Sequence, residues 1–131
     1  MVSGLYAAIF VLLQVIFIMK VVKLRWAKEI SLGDGGDEEL NRRVRGHANF
    51  IETVPMALAL MVIAELSGAP LWAVHALGTL MVLARISHYY GMTTGSGHGK
   101  FRFYGMVITI TVLGLGAALC VWLALPVLLG F

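Results

Sequence analysis

The sequence predicts an all-α integral membrane protein, a four-helix transmembrane bundle, and three observations predict it. First, the 131 residues are 60% hydrophobic and 13% charged, whereas about a quarter of the residues in an average soluble domain are charged. Second, four apolar stretches are each long enough to cross a bilayer, which takes about 20 residues. Third, all ten lysines and arginines lie in two segments beside these stretches. The spans nearly exhaust the length, so we expect a single membrane domain over residues 1–131.

The first predicted span covers about residues 2–24. It carries no charge before Lys20, and Trp26 follows as an interfacial anchor. No basic region or convincing cleavage site marks a signal peptide, so we expect this span to be retained. Gln14 lies inside the span, where an amide usually bonds to a neighbouring helix.

The second predicted span covers about residues 38–67 and follows a turn-rich polar segment. Asp37 can cap the helix, and the helix dipole favours Glu38 and Glu39 in its first turn. Pro55 removes one backbone donor inside the helix, which predicts a kink.

A polar stripe runs along the first half of this second helix. At 3.6 residues per turn, its four members fall within a sector of roughly 80°: Arg42, Arg45, Asn49 and Glu52. An uncharged run at 56–64 follows, so the stripe lies where the helix passes from water into hydrocarbon. Charged groups are costly against lipid, and we expect the stripe to face protein, a polar ligand or a wet cavity.

The third predicted span covers about residues 71–91. Near its end Arg85, His88 and Tyr89 are spaced i, i+3, i+4 and share one helix face. One interpretation is a binding site at the same membrane face as the stripe. The alternative is structural, with Arg85 reaching the interface and the tyrosines forming an aromatic belt.

The fourth predicted span covers about residues 101–129, with Arg102 at its entrance. The glycine-rich segment before it, residues 91–100, lacks the lysine spacing and the preceding strand of a phosphate-binding loop. Gly105, Gly114 and Gly116 suit close helix packing.

The charge distribution predicts topology and excludes some partners. Positive residues mark the cytoplasmic side, so we expect both termini outside the cytoplasm and the polar site at the cytoplasmic face. The net charge of +3 is explained by these flanking residues, and we expect no nucleic-acid binding. Cys120 is the only cysteine, which excludes an intrachain disulfide and a cysteine metal cluster, and we expect no metal site.

The residue types at this face suit a small anionic or zwitterionic ligand. Guanidinium groups bind carboxylates in a forked geometry, Glu52 can accept an ammonium group, and the Asn49 amide can both donate and accept. Glutathione is one such ligand.

Arg45, Asn49, Glu52 and Pro55 together form the pattern Arg-x-x-x-Asn-x-x-Glu-x-x-Pro. This pattern resembles the signature of the MAPEG proteins, membrane-associated proteins in eicosanoid and glutathione metabolism, and the resemblance covers nearly the whole chain. The glycine-rich segment and the Asp34-Gly35-Gly36 turn resemble the bacterial, microsomal-glutathione-transferase-like branch. The resemblance implies a homotrimer, in lipids of a bacterial inner membrane, that binds glutathione as co-substrate between subunits.

The resemblance also implies roles for individual residues. Arg45, Asn49 and Glu52 would hold glutathione, and Arg102 would stabilise its thiolate. Further contacts would come from five residues, the first two contributed by the adjacent subunit: Arg25, His47, Arg85, His88 and Tyr89. A free thiol has a pKa of about 8.5, and a nearby guanidinium lowers it. The thiolate would attack a lipophilic electrophile, or reduce a lipid hydroperoxide, that arrives from the bilayer.

Two other functions stay open at this point. The first is a non-catalytic glutathione- or lipid-binding scaffold of the same fold. Thr53 and Met92 favour it, because they stand where enzymes of the family have tyrosines. The second is a small four-span drug exporter, which would carry a glutamate in the middle of span one, where this chain has Gln14.

Overall fold

The computed structural model describes residues 1–95 and 99–130, and in these residues the chain forms four α-helices. They are α1 at Val2–Lys28, α2 at Glu38–Leu66, α3 at Leu71–Thr93 and α4 at Gly99–Leu129. Each is long and apolar enough to cross a membrane. The all-helical fold with four membrane helices is therefore confirmed.

The helices extend beyond some of the predicted spans. α1 continues to Lys28 and α3 to Thr93, because a helix need not end where the hydrocarbon ends. The predicted glycine-rich loop at 91–100 includes residues 96–98, which lie outside the described residues. On its two sides the chain is helical up to Thr93 and again from Gly99.

The start of α2 is capped as the sequence predicts. The Asp37 carboxylate accepts a hydrogen bond from the Leu40 N–H at 2.8 Å and forms an ion pair with Lys28 at the end of α1. The hydrogen bond from Lys28, together with that from the Leu40 N–H, lowers the pKa of Asp37 from its ordinary value of 3.8. Glu38 and Glu39, in the first turn, pair one turn further along α2 with Arg42 and Arg43. The cap thus also ties α1 to α2.

The two central helices of the bundle are α2 and α3. Both α1 and α4 pack against this pair, and within the described residues α1 and α4 do not touch each other. An aromatic cluster joins α1, α2 and α3: the Phe17 ring stacks on Tyr89 with centroids 3.6 Å apart and meets Phe50 edge-on at 5.2 Å. Large apolar side chains such as Leu12 and Trp122 are exposed on the outside, where a lipid-facing surface needs them.

Helices α3 and α4 approach most closely at Gly105. A Cβ atom at this position would lie 2.6 Å from the His88 backbone nitrogen and 2.7 Å from the Ala84 carbonyl oxygen. No side chain fits there, so this glycine sets the α3–α4 distance as predicted. Gly114, for which we expected a similar role, faces open space in the subunit.

The two ends of the bundle differ in charge. We call the end where α1 and α3 finish and α2 and α4 begin the basic end, because all ten lysines and arginines lie within residues 20–45 and 85–102. The opposite end contains the start of α1 and the turn from α2 to α3. There the Glu65 carboxylate accepts hydrogen bonds from the Val2 and Ser3 backbone and from the Ser3 hydroxyl.

Candidate functional site

The polar stripe of α2 has one side chain bonded across the bundle and two that are exposed. Arg45 and Glu52 are exposed, and within the described residues neither makes an ion pair or a side-chain hydrogen bond. Arg42 pairs with Glu38 on its own helix. Asn49 is half-buried, and its Oδ1 accepts a hydrogen bond from Arg85 on α3 at 2.8 Å.

Arg85 is the most deeply buried charged group of the described chain, with 1% of the residue exposed. Its Nη1 donates to Asn49 and, at 3.1 Å, to the Thr53 hydroxyl of α2. Its Nη2 donates to the Thr109 hydroxyl and, at 3.4 Å, to the Gly105 carbonyl of α4. Arg85 therefore joins α2, α3 and α4 inside the bundle.

None of the groups that Arg85 bonds is a carboxylate. The four acceptors are one amide oxygen, two hydroxyls and one carbonyl oxygen. Its Nε is buried and has no hydrogen-bond partner among the described residues. A guanidinium that is removed from water normally gains an anionic partner, and here four neutral dipoles solvate the charge.

Arg102 lies on α4 at the junction of two cavities. The first, of about 350 Å³, is lined by residues of α2, α3 and α4 and of the segment after α3: Glu38, Arg42, Gly91, Met92, Gly95, Gly99 and Arg102. The second, of about 400 Å³, is lined by His88, Gly99, Arg102, Phe103 and Met106. Arg102 and Gly99 line both, so Arg102 lies between a charged cavity and a more apolar one.

Arg102 is also exposed and has no ion-pair partner in the part of the chain that the structure describes. His88, which is 4% exposed, lines the apolar cavity next to it. The structure thus brings together two of the predicted site residues, His88 and Arg102, at the entrance of α4.

Three other predicted site residues lie apart from Arg102 within one subunit. Arg25 at the end of α1 donates to the Gly33 carbonyl at 2.7 Å and so fixes the loop to α2. His47 lies roughly 160° around α2 from Arg45, on the face that packs inside the subunit, and its Nε2 is buried without a partner among the described residues. The Tyr89 ring is buried against Phe17, and its hydroxyl also lacks a partner there.

The sequence did not indicate every group of this site. Thr53 is not among the predicted site residues, yet its hydroxyl accepts from Arg85 and donates to the Asn49 carbonyl oxygen at 2.9 Å. Thr109 lies in the apolar run of α4, and its role was not foreseen. Its spacing of four residues from Gly105 was the available signal, since a helical threonine commonly bonds the carbonyl one turn back.

The residues described in the structure include no group of three or more His, Cys, Asp or Glu side chains that could hold a metal ion. The polar side chains toward the basic end carry guanidinium and ammonium groups, two carboxamides, carboxylates and imidazoles. These groups bind anions and zwitterions through charge-assisted hydrogen bonds.

Comparisons with known proteins show which family the chain resembles. The MAPEG family model matches residues 3–122, a range that includes every predicted site residue from Arg25 to Arg102. The chain is 41% identical over 103 residues to inner membrane protein YecN of Escherichia coli strain K12, and the match covers 79% of this chain and 76% of YecN. YecN of Escherichia coli O6:H1 gives the same identity and coverage.

Proposed function

The chain belongs to the MAPEG family, and from this premise we propose that it is a membrane-bound glutathione-dependent transferase and peroxidase. Its substrates would be lipophilic electrophiles or lipid hydroperoxides. The observation that carries the proposal is the position of Arg102 between a charged cavity and an apolar one. A thiolate and an apolar substrate must meet at such a boundary.

The charged cavity suits the peptide, and the apolar cavity suits the second substrate. Arg102 offers an unpaired guanidinium to the carboxylates or the thiolate of glutathione. The Arg42–Glu38 ion pair lines the same cavity and offers a further cation, together with an acceptor for the ammonium group. Phe103 and Met106 offer an apolar wall on the other side of Arg102. An electrophile dissolved in the bilayer would reach this wall without crossing water.

The chemistry requires only an activated thiolate. Arg102 stabilises the anion, and the thiol proton leaves to water. In conjugation, the sulfur forms a bond to the electrophilic carbon and the leaving group departs with its electron pair. In peroxide reduction, the sulfur attacks the terminal oxygen and the O–O bond breaks, giving an alcohol and a glutathione sulfenic acid. A second glutathione then converts the sulfenic acid to the disulfide and water.

We propose further that a homotrimer completes the site. Arg45 and Glu52 are exposed on α2 without partners in the described subunit, and such groups are costly to leave against lipid. Arg25 and His47 lie on other faces and do not meet Arg102 within one subunit. A neighbouring copy that covers the α2 stripe would supply both the missing walls and the missing contacts.

The proposal extends to the location of the protein in the cell. The relative from Escherichia coli is named as an inner membrane protein, and we propose that this chain is one too, with residues 1–131 as a single four-span domain. Because positive residues favour the cytoplasmic side, we propose that the basic end lies in the cytoplasm and both termini on the other side.

The test is turnover by detergent-purified protein with glutathione and a panel of electrophiles and lipid hydroperoxides. We expect glutathione-dependent turnover that falls about 100-fold in Arg102→Ala, because a preorganised charge that stabilises an anion contributes on this scale. Lys100→Ala is the matched control, since it removes an exposed cation two residues away that lines neither cavity. Equal activity of the two variants would remove Arg102 from the mechanism.

A second function, a non-catalytic glutathione- or lipid-binding scaffold, has one observation in its favour. Met92 lines the charged cavity, and Thr53 is already bonded to Arg85, so neither supplies the hydroxyl that a tyrosine would offer to a ligand. Saturable glutathione binding with no turnover against the whole panel would select the scaffold over the enzyme.

A further inference from the structure

The bonds around Arg85 have directions that its chemistry fixes. A guanidinium carries five N–H donors and no acceptor, so every atom that meets it must accept. The Asn49 atom at 2.8 Å is therefore the carbonyl oxygen and not the nitrogen. The amide orientation, which is often ambiguous in protein structures, is determined here by its partner.

The two threonine hydroxyls are oriented in the same way. Each accepts from Arg85 and must direct its own hydrogen elsewhere. Thr53 donates to the Asn49 carbonyl oxygen of the backbone at 2.9 Å, and Thr109 donates to the Gly105 carbonyl oxygen at 2.7 Å. The network thus has a single consistent arrangement of hydrogens across α2, α3 and α4.

These bond directions determine the orientation of the Asn49 side-chain amide. Because its oxygen faces Arg85 inside the bundle, its NH2 group is directed away from Arg85, and that group has no hydrogen-bond partner among the described residues. Asn49 is half-buried and belongs to the stripe that also carries the exposed Arg45 and Glu52. The stripe therefore presents an amide donor between a cation and an anion.

We propose that Arg85 is a positioning residue, which together with Thr53 and Thr109 locks the Asn49 amide so that it donates to the ligand. This inference rests on the proposed function and deepens it. Asn49 then recognises an acceptor of glutathione, a carboxylate or a peptide carbonyl. The ammonium group of glutathione would then bind a carboxylate side chain and not Asn49. Arg85 itself is enclosed by its own chain and acts through Asn49 without touching the ligand.

The amide can be observed directly, because the chain has only two asparagines, Asn41 and Asn49. Selective ¹⁵N labelling of asparagine in the detergent-purified protein gives two side-chain NH2 signals, and the exposed Asn41 serves as the internal reference. We expect glutathione to shift the Asn49 signal and to leave Asn41 in place. Glutathione that binds, by calorimetry, without shifting Asn49 would overturn the inference and leave the proposed function standing.

Substitutions on α4, away from the proposed ligand contact, test whether the Arg85 network fixes the orientation of the Asn49 amide. Thr109→Val removes one anchor of Arg85 and keeps the side-chain shape, and Thr109→Ser restores the hydroxyl. We expect the valine variant to broaden the Asn49 signal and to weaken glutathione binding several-fold, about the effect of one hydrogen bond, and the serine variant to recover both. An unchanged Asn49 signal in the valine variant would overturn the inference, whether or not glutathione binds.

Asn49→Asp tests the direction of donation. Aspartate keeps an oxygen for Arg85 and even gains a charge pair, but it replaces the donor with an anion. We expect thermal stability to be retained and glutathione affinity to fall about tenfold or more. Affinity equal to that of the parent would overturn the inference, whereas a parent protein that binds no glutathione would refute the proposed function itself.

Discussion

The two ends of the bundle both contain polar networks, but they differ in how completely those networks are satisfied. At the opposite end, the Glu65 carboxylate receives three hydrogen bonds from the start of α1. The Tyr6 hydroxyl bonds to the His75 carbonyl at 3.0 Å and to the Thr79 hydroxyl at 2.8 Å. These groups find their partners within the subunit, so the network serves the fold.

The basic end leaves groups without partners. All the buried side-chain atoms without a hydrogen bond that were found in the described chain lie there, on Arg43, His47, Arg85 and Tyr89. Exposed charges without partners lie there too, including Arg102. Because unpaired polar groups cost stability, their concentration at one end supports the proposal that this end binds a ligand.

The largest expected effect comes from Gly105, where the helix packing and the Arg85 network coincide. Gly105→Ala would force α3 and α4 apart, because the new Cβ would meet backbone atoms at 2.6 and 2.7 Å, at a cost of about 1–3 kcal/mol. Thermal unfolding in detergent measures the change, and glutathione affinity should fall with it. Gly114→Ala, which faces open space on the same helix, should be nearly neutral. Equal melting temperatures for the two variants would contradict the packing account.

A binding effect without a stability effect is expected at Arg45. Its side chain is exposed and unpaired in the described subunit, so Arg45→Met should change unfolding by less than about 0.5 kcal/mol. Glutathione affinity should fall about tenfold, since a charged hydrogen bond to the ligand is lost. Lys23→Met, which removes another exposed cation of the basic end, is the control and should bind as the parent does. A loss of affinity shared by both variants would indicate general electrostatic attraction and not a site.

At the opposite end of the bundle we expect a stability effect without a binding effect. Glu65→Gln weakens the bonds to the start of α1 and places an NH2 group against donors, so the melting temperature should fall while glutathione affinity stays the same. Ser3→Ala removes only the hydroxyl donor and should lower the melting temperature less. Impaired glutathione binding in folded Glu65→Gln protein would show that the two ends are not separable.

The smallest effect is a pH dependence at the start of α2. The pKa of Asp37 is lowered in the folded protein by its bonds from Lys28 and the Leu40 N–H. Its stabilising contribution is therefore complete above the unfolded pKa of about 4 and disappears as the pH falls through the lower folded pKa. Asp37→Asn keeps a capping oxygen but cannot ionise, so its melting temperature should depend less on pH below 4. Identical pH profiles for the two proteins would refute this role.

The sequence was most informative where a signal is local. Asp37 could be identified as a cap from its neighbours, and the α2 stripe from the helical period. The helical period does not show which neighbouring helix a given face packs against, because that depends on the tertiary structure. The direct bond from Arg85 to Asn49, 36 residues apart, therefore could not be predicted. Nor could the role of Thr109, because its spacing from Gly105 indicates only the local bond to that carbonyl and not the contact with Arg85 on another helix.

The same limit applies to the predicted site as a whole. In the structure Arg45 and Arg102 lie near the starts of α2 and α4 at the basic end, whereas Glu52 lies at the middle of α2. Whether they surround one ligand depends on how copies of the chain associate, and the pattern of one chain does not encode that directly. Their convergence therefore stays a prediction.

The most direct test of the account is the near-ultraviolet absorbance of the glutathione thiolate when glutathione is added to the purified protein. The unpaired Arg102 guanidinium should generate thiolate at neutral pH in the parent and in Lys100→Ala, and Arg102→Ala should lose this signal while it retains its oligomeric state. A thiolate signal of equal size in Arg102→Ala, or none in the parent despite bound glutathione, would contradict the claim that the basic end activates the thiol.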